Sequence, residues 1–537
     1  MTAPSYTSDL TNIATGDESS GWVEFTGGGY GGQDSPAYQD AEYPYIQGSY
    51  AVTQSTPKNT TIGSLAYPTG AITWYSGYAF FVWQNFSSPF AMGTYAQGGM
   101  RLCCGSSQND FYSYYVGGSD KSPMPYGGWQ CHVVEPTFTP STLASETVGT
   151  PNGYTWAYVG AAVYVLTGPG KGEPHQVDAI RYGRGRAKFE YGDEANGYCT
   201  IAGFAAVNDN QTNRWGLIQA VAGGYLFKGE MYLGNSTNAV DFRDSDRTIF
   251  IQWTPRVTAT WNLISVNNAS SYVSMTGFQF IVLDTTTGSR GSFYVYDSAE
   301  AYLESCVFND MYVFGFSVNT SVIDCTFNRC NSITQSSATF DGCLISRLVN
   351  SGGVSVNNME LISNCDFVSD GTGHAMTLTS AHASNEYTFT GNTFTGYASV
   401  SGSSGDEAIY NNSGGHVTIY IDNGDMPSIR NGTGASTTLI NAVVLTLTGM
   451  VSGSEVRIYL HGTTTELTGI DLVDTLDDTG ITYKFSYSYN YAEDTYVDIV
   501  VHNVDYIYYR IDNLLLSPSN TSIPIDQQFD RNYRNPT

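Results

Sequence analysis

Apolar and polar residues alternate along most of this chain, and Gly, Asn, Ser and Pro cut the alternation into short runs. A two-residue period sends successive side chains to opposite faces of a strand, and no capped stretch with the 3.6-residue helical period stands out. The pattern predicts strands at Tyr45–Gln54, Ala71–Asn85, Met100–Cys104, Phe111–Val116, Trp129–Val134, Tyr158–Leu166 and His175–Tyr182. Strands separated by turn residues suit two packed antiparallel sheets. A second set, Val443–Leu447, Glu455–Leu460, Tyr483–Tyr489, Tyr496–Val501 and Tyr506–Leu516, predicts a smaller sandwich. Its apolar faces are Val443, Leu445 and Leu447, then Val456, Ile458 and Leu460, then Val497, Ile499 and Val501.

Between these sets a short pattern recurs: an apolar residue, two variable ones, Cys (or Phe or Asn), any residue, then Phe or Ile. It is read at Met275–Phe280, Leu303–Phe308, Val322–Phe327, Phe340–Ile345, Ile362–Phe367 and Phe389–Phe394. Its fourth positions are Phe278, Cys306, Cys325, Cys343, Cys365 and Asn392. Irregular steps near 20–25 residues with strand-like repeats mark a β-solenoid. Stacking coils about 4.8 Å apart puts the cysteines in one interior column, with Phe308, Phe327, Ile345 and Phe367 in the next. Small cysteines suit a narrow interior as modest hydrophobes. Asn392 in that column is either a turn-stacking Asn or the sign of a misaligned coil. The organisation expected is an all-β chain: an arm at 1–20, a β-sandwich at 21–195, a parallel β-helix at 196–440, and a C-terminal β-sandwich with a tail at 441–537.

Composition narrows the class. The chain has 537 residues, 13% charged and 14% aromatic, and a formal net charge of −27. So many aromatics exclude disorder. The strong negative charge argues against nucleic acid as a partner. No apolar run is long enough to insert in a membrane as a helix. Met1–Ser20 is polar, with no secretory signal pattern. Nine cysteines, an odd number without CxxC spacing, argue for free thiols and against a zinc or redox motif.

The combination resembles virion proteins of tailed bacteriophages, of the tailspike or fibre type. Gly21-Trp22, Tyr45–Ser49, Met100-Arg101-Leu102, Gly128-Trp129-Gln130 and Gln176–Gly183 look like a concanavalin-A-like or carbohydrate-binding jelly roll. The repeats resemble the right-handed parallel β-helix of tailspikes, and the C-terminal part looks like the small β-domain that follows it. The resemblance implies a structural component of the virion, a tail fibre, spike or capsid-surface protein. It implies host attachment through a surface glycan, contacts with other tail or capsid proteins, and a homo-oligomer, with a trimer favoured. Two alternatives stay open: a polysaccharide depolymerase acting as lyase or glycoside hydrolase, and a ligand-free capsid decoration or cement protein.

Candidate chemistry is sparse. Glycoside cleavage needs two carboxyl groups about 5–9.5 Å apart. Glu304, Asp324, Asp341 and Asp366 are the candidates, although no column of the repeat stacks two of them. Phe111, Tyr112, Tyr114, Tyr115 and Trp129 are candidates for a glycan or protein interface, because a strand with rings on both faces should leave some outside a two-layer core. Asp244 and Asp246 resemble a short calcium loop without its closing Glu; no other cofactor is expected. His374 and His382, within Gly371–Glu386, read as isolated surface histidines, with a lyase or metal role as the alternative. The basic run Arg181, Arg184, Arg186 and Lys188 reads as a hinge between sandwich and solenoid balanced by Glu190, Asp193 and Glu194, with docking on an acidic partner subunit as the alternative.

Overall fold

The computed structural model describes residues 3–31, 36–40, 45–55, 62–73, 75–86, 99–117, 128–136, 146–152, 155–164, 174–208, 215–252, 262–283, 291–295, 299–477, 479–490, 495–517 and 520–530. The chain forms two units, Met1–Ala338 and Thr339–Thr537. It is almost entirely β-structure, with parallel β-helix coils in each unit.

The first unit opens with two antiparallel sheets. One has the order Glu146–Val148, Phe111–Gly117, Gly99–Gly105, Thr155–Tyr164, Ile62–Thr73. The other has the order Ala37–Asp40, Ala51–Ser55, Pro174–Gly183, Ala79–Phe86, Gln130–Val134. Alternate residues from both, among them Leu65, Val82, Leu102, Tyr114, Val159 and Val177, share one core. The expected run Ala71–Asn85 is two strands with a turn at Tyr75–Tyr78 between them. Ile62–Thr73 escaped the sequence pattern because its Gly and Pro residues interrupt the alternation.

The segment expected as an arm or a short docking segment is woven into the sheets. Ser5–Ser8 pairs antiparallel with Arg186–Tyr191, and Thr11–Ala14 pairs with Pro174–Gly183. Its backbone groups complete sheet edges that would otherwise stay unpaired.

After Arg186 the chain winds through three parallel sheets. In the first unit one sheet stacks Arg186–Tyr191, Glu230–Leu233, Asn262–Val266, Ser292–Val295, Val313–Gly315 and Ser332–Thr334. A second stacks Asp241–Ser245, Tyr272–Thr276, Glu300–Glu304 and Thr320–Ile323. A third stacks Gly224–Phe227, Thr248–Ile251, Gln279–Val282, Val307–Asn309 and Thr326–Asn328. The second unit repeats the plan, for example in Leu344–Ser346, Asp366–Val368 and Thr393–Thr395. Apolar rings stack down the interior: Phe280 on Phe308 and Phe308 on Phe327, each with centroids 5.0 Å apart. In the second unit Phe367 stacks on Phe394 at 5.3 Å.

One corner of each coil needs a left-handed residue. Asp246, Gly277, Ser305 and Asp324 hold it in the first unit, and Gly342, Asn364, Gly391 and Asn423 in the second, all with positive φ. Gly takes this conformation freely, and Asp and Asn are the side-chain-bearing residues that tolerate it best.

The helix Ile201–Asn208 is a feature the sequence pattern did not predict. It is short and apolar on most sides, so no amphipathic period shows. Phe204 stacks on Phe189 at 5.3 Å and meets Trp215 at 5.4 Å, which closes the apolar interior at the first coil.

In the second unit Ser436–Met450 pairs in parallel with His416–Asp422 through its first half and antiparallel with Tyr483–Asn490 through its second. It leads into a domain whose other sheet has the order Glu466–Ile470, Glu455–Leu460, Tyr496–His502, Tyr509–Leu515. The two sheets share a core of Val443, Leu445, Leu447, Val456, Ile458, Val497, Ile499 and Val501. Leu460, expected on that face, is exposed instead. The tail 531–537 lies outside the described residues.

Candidate functional site

The carboxylates singled out from the sequence serve the coils. Asp324 occupies a left-handed corner with φ 50°. Glu304 points outward beside Tyr302, whose hydroxyl pKa is raised by burial and then by Glu304. Asp341 accepts hydrogen bonds from Ser363 Oγ at 2.9 Å and Asn364 Nδ2 at 2.8 Å, one coil further on. Asp366 accepts from Thr393 Oγ1, also on the next coil. Among the described residues no hydrogen bond or ion pair joins any two of these four. Asp341 and Asp366 tie coils together.

Asp244 and Asp246 do not form a ligand set. Asp244 accepts the Ile201 N–H at the start of the helix and pairs with Arg247 Nε, each at 2.9 Å. Asp246 is a corner residue with φ 54°. Among the described residues no group of three or more His, Cys, Asp or Glu side chains could hold a metal ion.

The expectation of outward rings at Phe111–Tyr115 is corrected by a third layer. Phe25 and Tyr30 cover the outer face of the first sheet and build a second core with Phe111, Cys103 and Val148. Phe111 packs 4.4 Å from Phe25, centroid to centroid. Tyr112 and Tyr114 face the other core. Tyr115 is half-buried under the Arg101 guanidinium, 4.4 Å from its ring centroid, and Trp129 is half-buried. Arg101 itself is buried and pairs with Glu146 Oε2 at 2.8 Å. This layer has no signal in the sequence, because Trp22–Tyr30 carries no sustained alternation.

His374 and His382 are buried, against the expectation of surface positions. His374 Nδ1 lies 2.6 Å from the Glu407 carbonyl oxygen, and its ring stacks on Tyr410 at 5.1 Å. His382 lies between the Tyr387 hydroxyl at 2.8 Å and the Val356 carbonyl at 2.6 Å. Burial lowers its pKa. Of the acids expected to balance the basic run, Glu190 pairs with Lys188 at 3.2 Å, whereas Asp193 bonds Tyr191 and Asn196, and Arg186 pairs instead with Glu230 at 3.1 Å, far along the chain. Arg181 is buried and bonds Asn12 at 2.9 Å.

The surface richest in ligand-like chemistry lies elsewhere, on the outer face of Glu386–Thr390, His416–Asp422 and Ser436–Met450. Register places Glu386 beside Thr418 and Thr438, and Thr388 beside Tyr420 and Ile440. Val417, Ile419 and Ile421 fill the interior, and His416 and Tyr420 reach the surface, with Thr418 buried between them. His416 Nδ1 sits 2.9 Å from Ser436 Oγ, and its Nε2 3.4 Å from both Thr418 Oγ1 and Thr438 Oγ1. Glu360 Oε1 accepts the Thr388 N–H at 3.2 Å, and the Tyr420 hydroxyl lies 3.5 Å from Glu386 Oε2. The face therefore offers hydroxyls, one imidazole and one aromatic ring at strand spacing, with two exposed carboxylates at one side. Such groups suit a polyhydroxylated chain by hydrogen bonding and ring stacking. Both carboxylates are exposed, whereas a general acid needs a desolvating site to stay protonated near neutral pH. The signal in the sequence is Thr and Tyr at alternate positions, a pattern that ordinary solvent-facing strands share.

No protein-family model matches the chain, and no curated protein matches it in sequence.

Proposed function

We propose that this chain is a structural attachment protein of a tailed phage particle, of the tailspike or fibre type, that holds host-surface glycan by adhesion. The phage assignment draws on the resemblance of the flanking segments and the coil repeats to such proteins, a likeness at the level of fold. The adhesive part is carried by one observation: three adjacent strands present Thr388, Tyr420, His416 and Thr438 on one outward face.

The test is binding of the purified full chain to an array of bacterial surface polysaccharides, beside Tyr420→Ala. Retention of at least one polysaccharide, weakened about tenfold or more by Y420A at unchanged melting temperature, is expected. Release of reducing ends or unsaturated sugars from that polysaccharide would replace adhesion with depolymerisation. Antibody labelling of particles that finds the chain absent from them would overturn the phage assignment.

A further inference from the structure

The C-terminal two-sheet domain has one end built unlike the rest. Ser436–Met450 enters the domain at residue 442 and leaves it at Met450, and register places Glu455, Ile470, Tyr483 and His502 at that same leaving end. The connections there are 451–454, 471–482, 503–508 and 525–530. Hydrogen bonds draw them together: Val473 N–H donates to the Ser454 carbonyl at 2.8 Å, Asn503 Nδ2 to the Ser452 carbonyl at 3.3 Å, and Ser454 Oγ to Gln527 Oε1 at 3.0 Å. Val473 and Ile525 turn into the core. Their neighbours turn out. Leu472 is 65% exposed, Ile481 81%, Val504 62% and Phe529 59%, with Leu476 and Ile507 about half exposed. Single exposed apolar residues need no account, but six gathered at one end of a small domain mark an interaction surface.

Charge says what kind. The four connections contain seven aspartates and neither lysine nor arginine. Asp474, Asp505 and Asp526 are exposed among the apolar side chains. Two copies meeting through this end would bring their aspartates together, and like charges facing one another across an interface cost several kcal/mol.

We propose that this end docks a different protein, whose contact surface is apolar and ringed by lysine or arginine. The surface follows from this domain alone. That the partner is another particle protein rests on the proposed function.

The experiment titrates the full chain against labelled amphipathic peptides of three compositions, Leu with Lys, Leu with Glu, and Ser with Lys, at low and high salt. Binding of the Leu/Lys peptide at least tenfold tighter than the other two is expected. Ile481→Ser with Phe529→Ser should remove that preference, and both side chains are exposed enough for the fold to survive. Asp474→Asn, Asp505→Asn and Asp526→Asn together should flatten its salt dependence. Equal affinity for the Leu/Lys and Leu/Glu peptides, or Leu/Lys binding untouched by the Ser variants, would overturn the proposal. So would concentration-dependent self-association of the wild type that the Ser variants abolish, since the surface would then serve a second copy. Binding that arises only when residues 531–537 are removed would overturn it too, the chain's own tail being the occupant. A positive result in a chain absent from phage particles would leave this surface standing while the phage assignment fell.

Discussion

Asn392 accepts the backbone N–H of Cys365 through its Oδ1 at 3.0 Å, one coil away in the same interior column. Its Nδ2 donates to the Ile362 and Thr390 carbonyls, each at 2.9 Å. The cysteines do the same work with weaker groups. Cys306 N–H meets Cys325 Sγ at 3.4 Å, while Cys306 Sγ meets the Met275 carbonyl at 3.3 Å and the Glu304 carbonyl at 3.4 Å. Cys343 and Cys365 likewise donate to carbonyls two residues back, Asp341 and Ser363. The corner bends the chain away from its ladder, so buried backbone groups there need a side-chain partner. Within each unit the column is a hydrogen-bonded spine, and Asn392 belongs in register to that of the second.

Asn392→Ala should therefore destabilise the second unit by about 3 kcal/mol, because it strands buried backbone donors and acceptors as well as opening space. Asn392→Cys should cost clearly less, since a thiol can donate and accept weakly. Urea unfolding of both variants measures the order; equal losses would show that only volume matters at this rung.

The corner assignment of Asp324 gives a second prediction. Asp324→Gly should leave stability within about 1 kcal/mol of wild type, as Gly277, Gly342 and Gly391 hold the equivalent corner. Asp324→Val should cost about 1–2 kcal/mol or more, because a β-branched side chain clashes in the left-handed region. Thermal unfolding compares the pair. A Gly variant less stable than the Val variant would remove the corner from consideration as the reason for Asp324.

The coils were legible in the sequence because a column leaves a repeat: Cys306, Cys325 and Phe308, Phe327 recur at coil length, and each lies where its spacing puts it. The shared cores of both two-sheet regions were legible for the same reason, through alternation. What was not legible involves partners distant in sequence and without period. Ser5–Ser8 finds its edge at Arg186–Tyr191, and Phe25 finds Phe111, with nothing local to announce either pairing. The candidate carboxylates looked available because outward positions on a strand look alike on paper. Corner geometry and cross-coil hydrogen bonds had already engaged Asp324, Asp341 and Asp366.

Phe308 lies between Phe280 and Phe327, with ring planes 8° and 18° from parallel. Phe308→Ala should cost about 3–5 kcal/mol, the transfer loss plus a cavity that rigid coils above and below cannot collapse. Phe308→Leu should cost less than half of that, because volume is mostly kept. Chemical denaturation of the two variants tests the difference. An Ala variant losing under about 1 kcal/mol would mean that the coils close over the gap.

Acid should loosen the first unit. His132 and His175 are buried, and among the described residues His132 Nε2 and both ring nitrogens of His175 have no hydrogen-bond partner. Burial holds each at about 3 instead of 6.5, with buried Lys228 pressing further on His132. Below about pH 6.5 the unfolded chain takes up protons that the folded chain refuses, so stability falls as pH drops, by about 1.4 kcal/mol per histidine per pH unit. Asp178 runs the other way. Burial pushes its carboxyl up to about 7 although the backbone N–H groups of Gln47, Ile46 and Ala179 lower it, so the folded state binds that proton first and gains stability as pH falls from about 7 towards 4. Two histidines outweigh one aspartate between about pH 6.5 and 4.5, and a net loss of roughly 2 kcal/mol follows. Tryptophan fluorescence in urea at about pH 7 and 4.5 measures it. His175→Gln should remove most of the net loss, and Asp178→Asn should deepen it. A His175→Gln chain as acid-sensitive as wild type would show that protonation elsewhere sets the pH dependence.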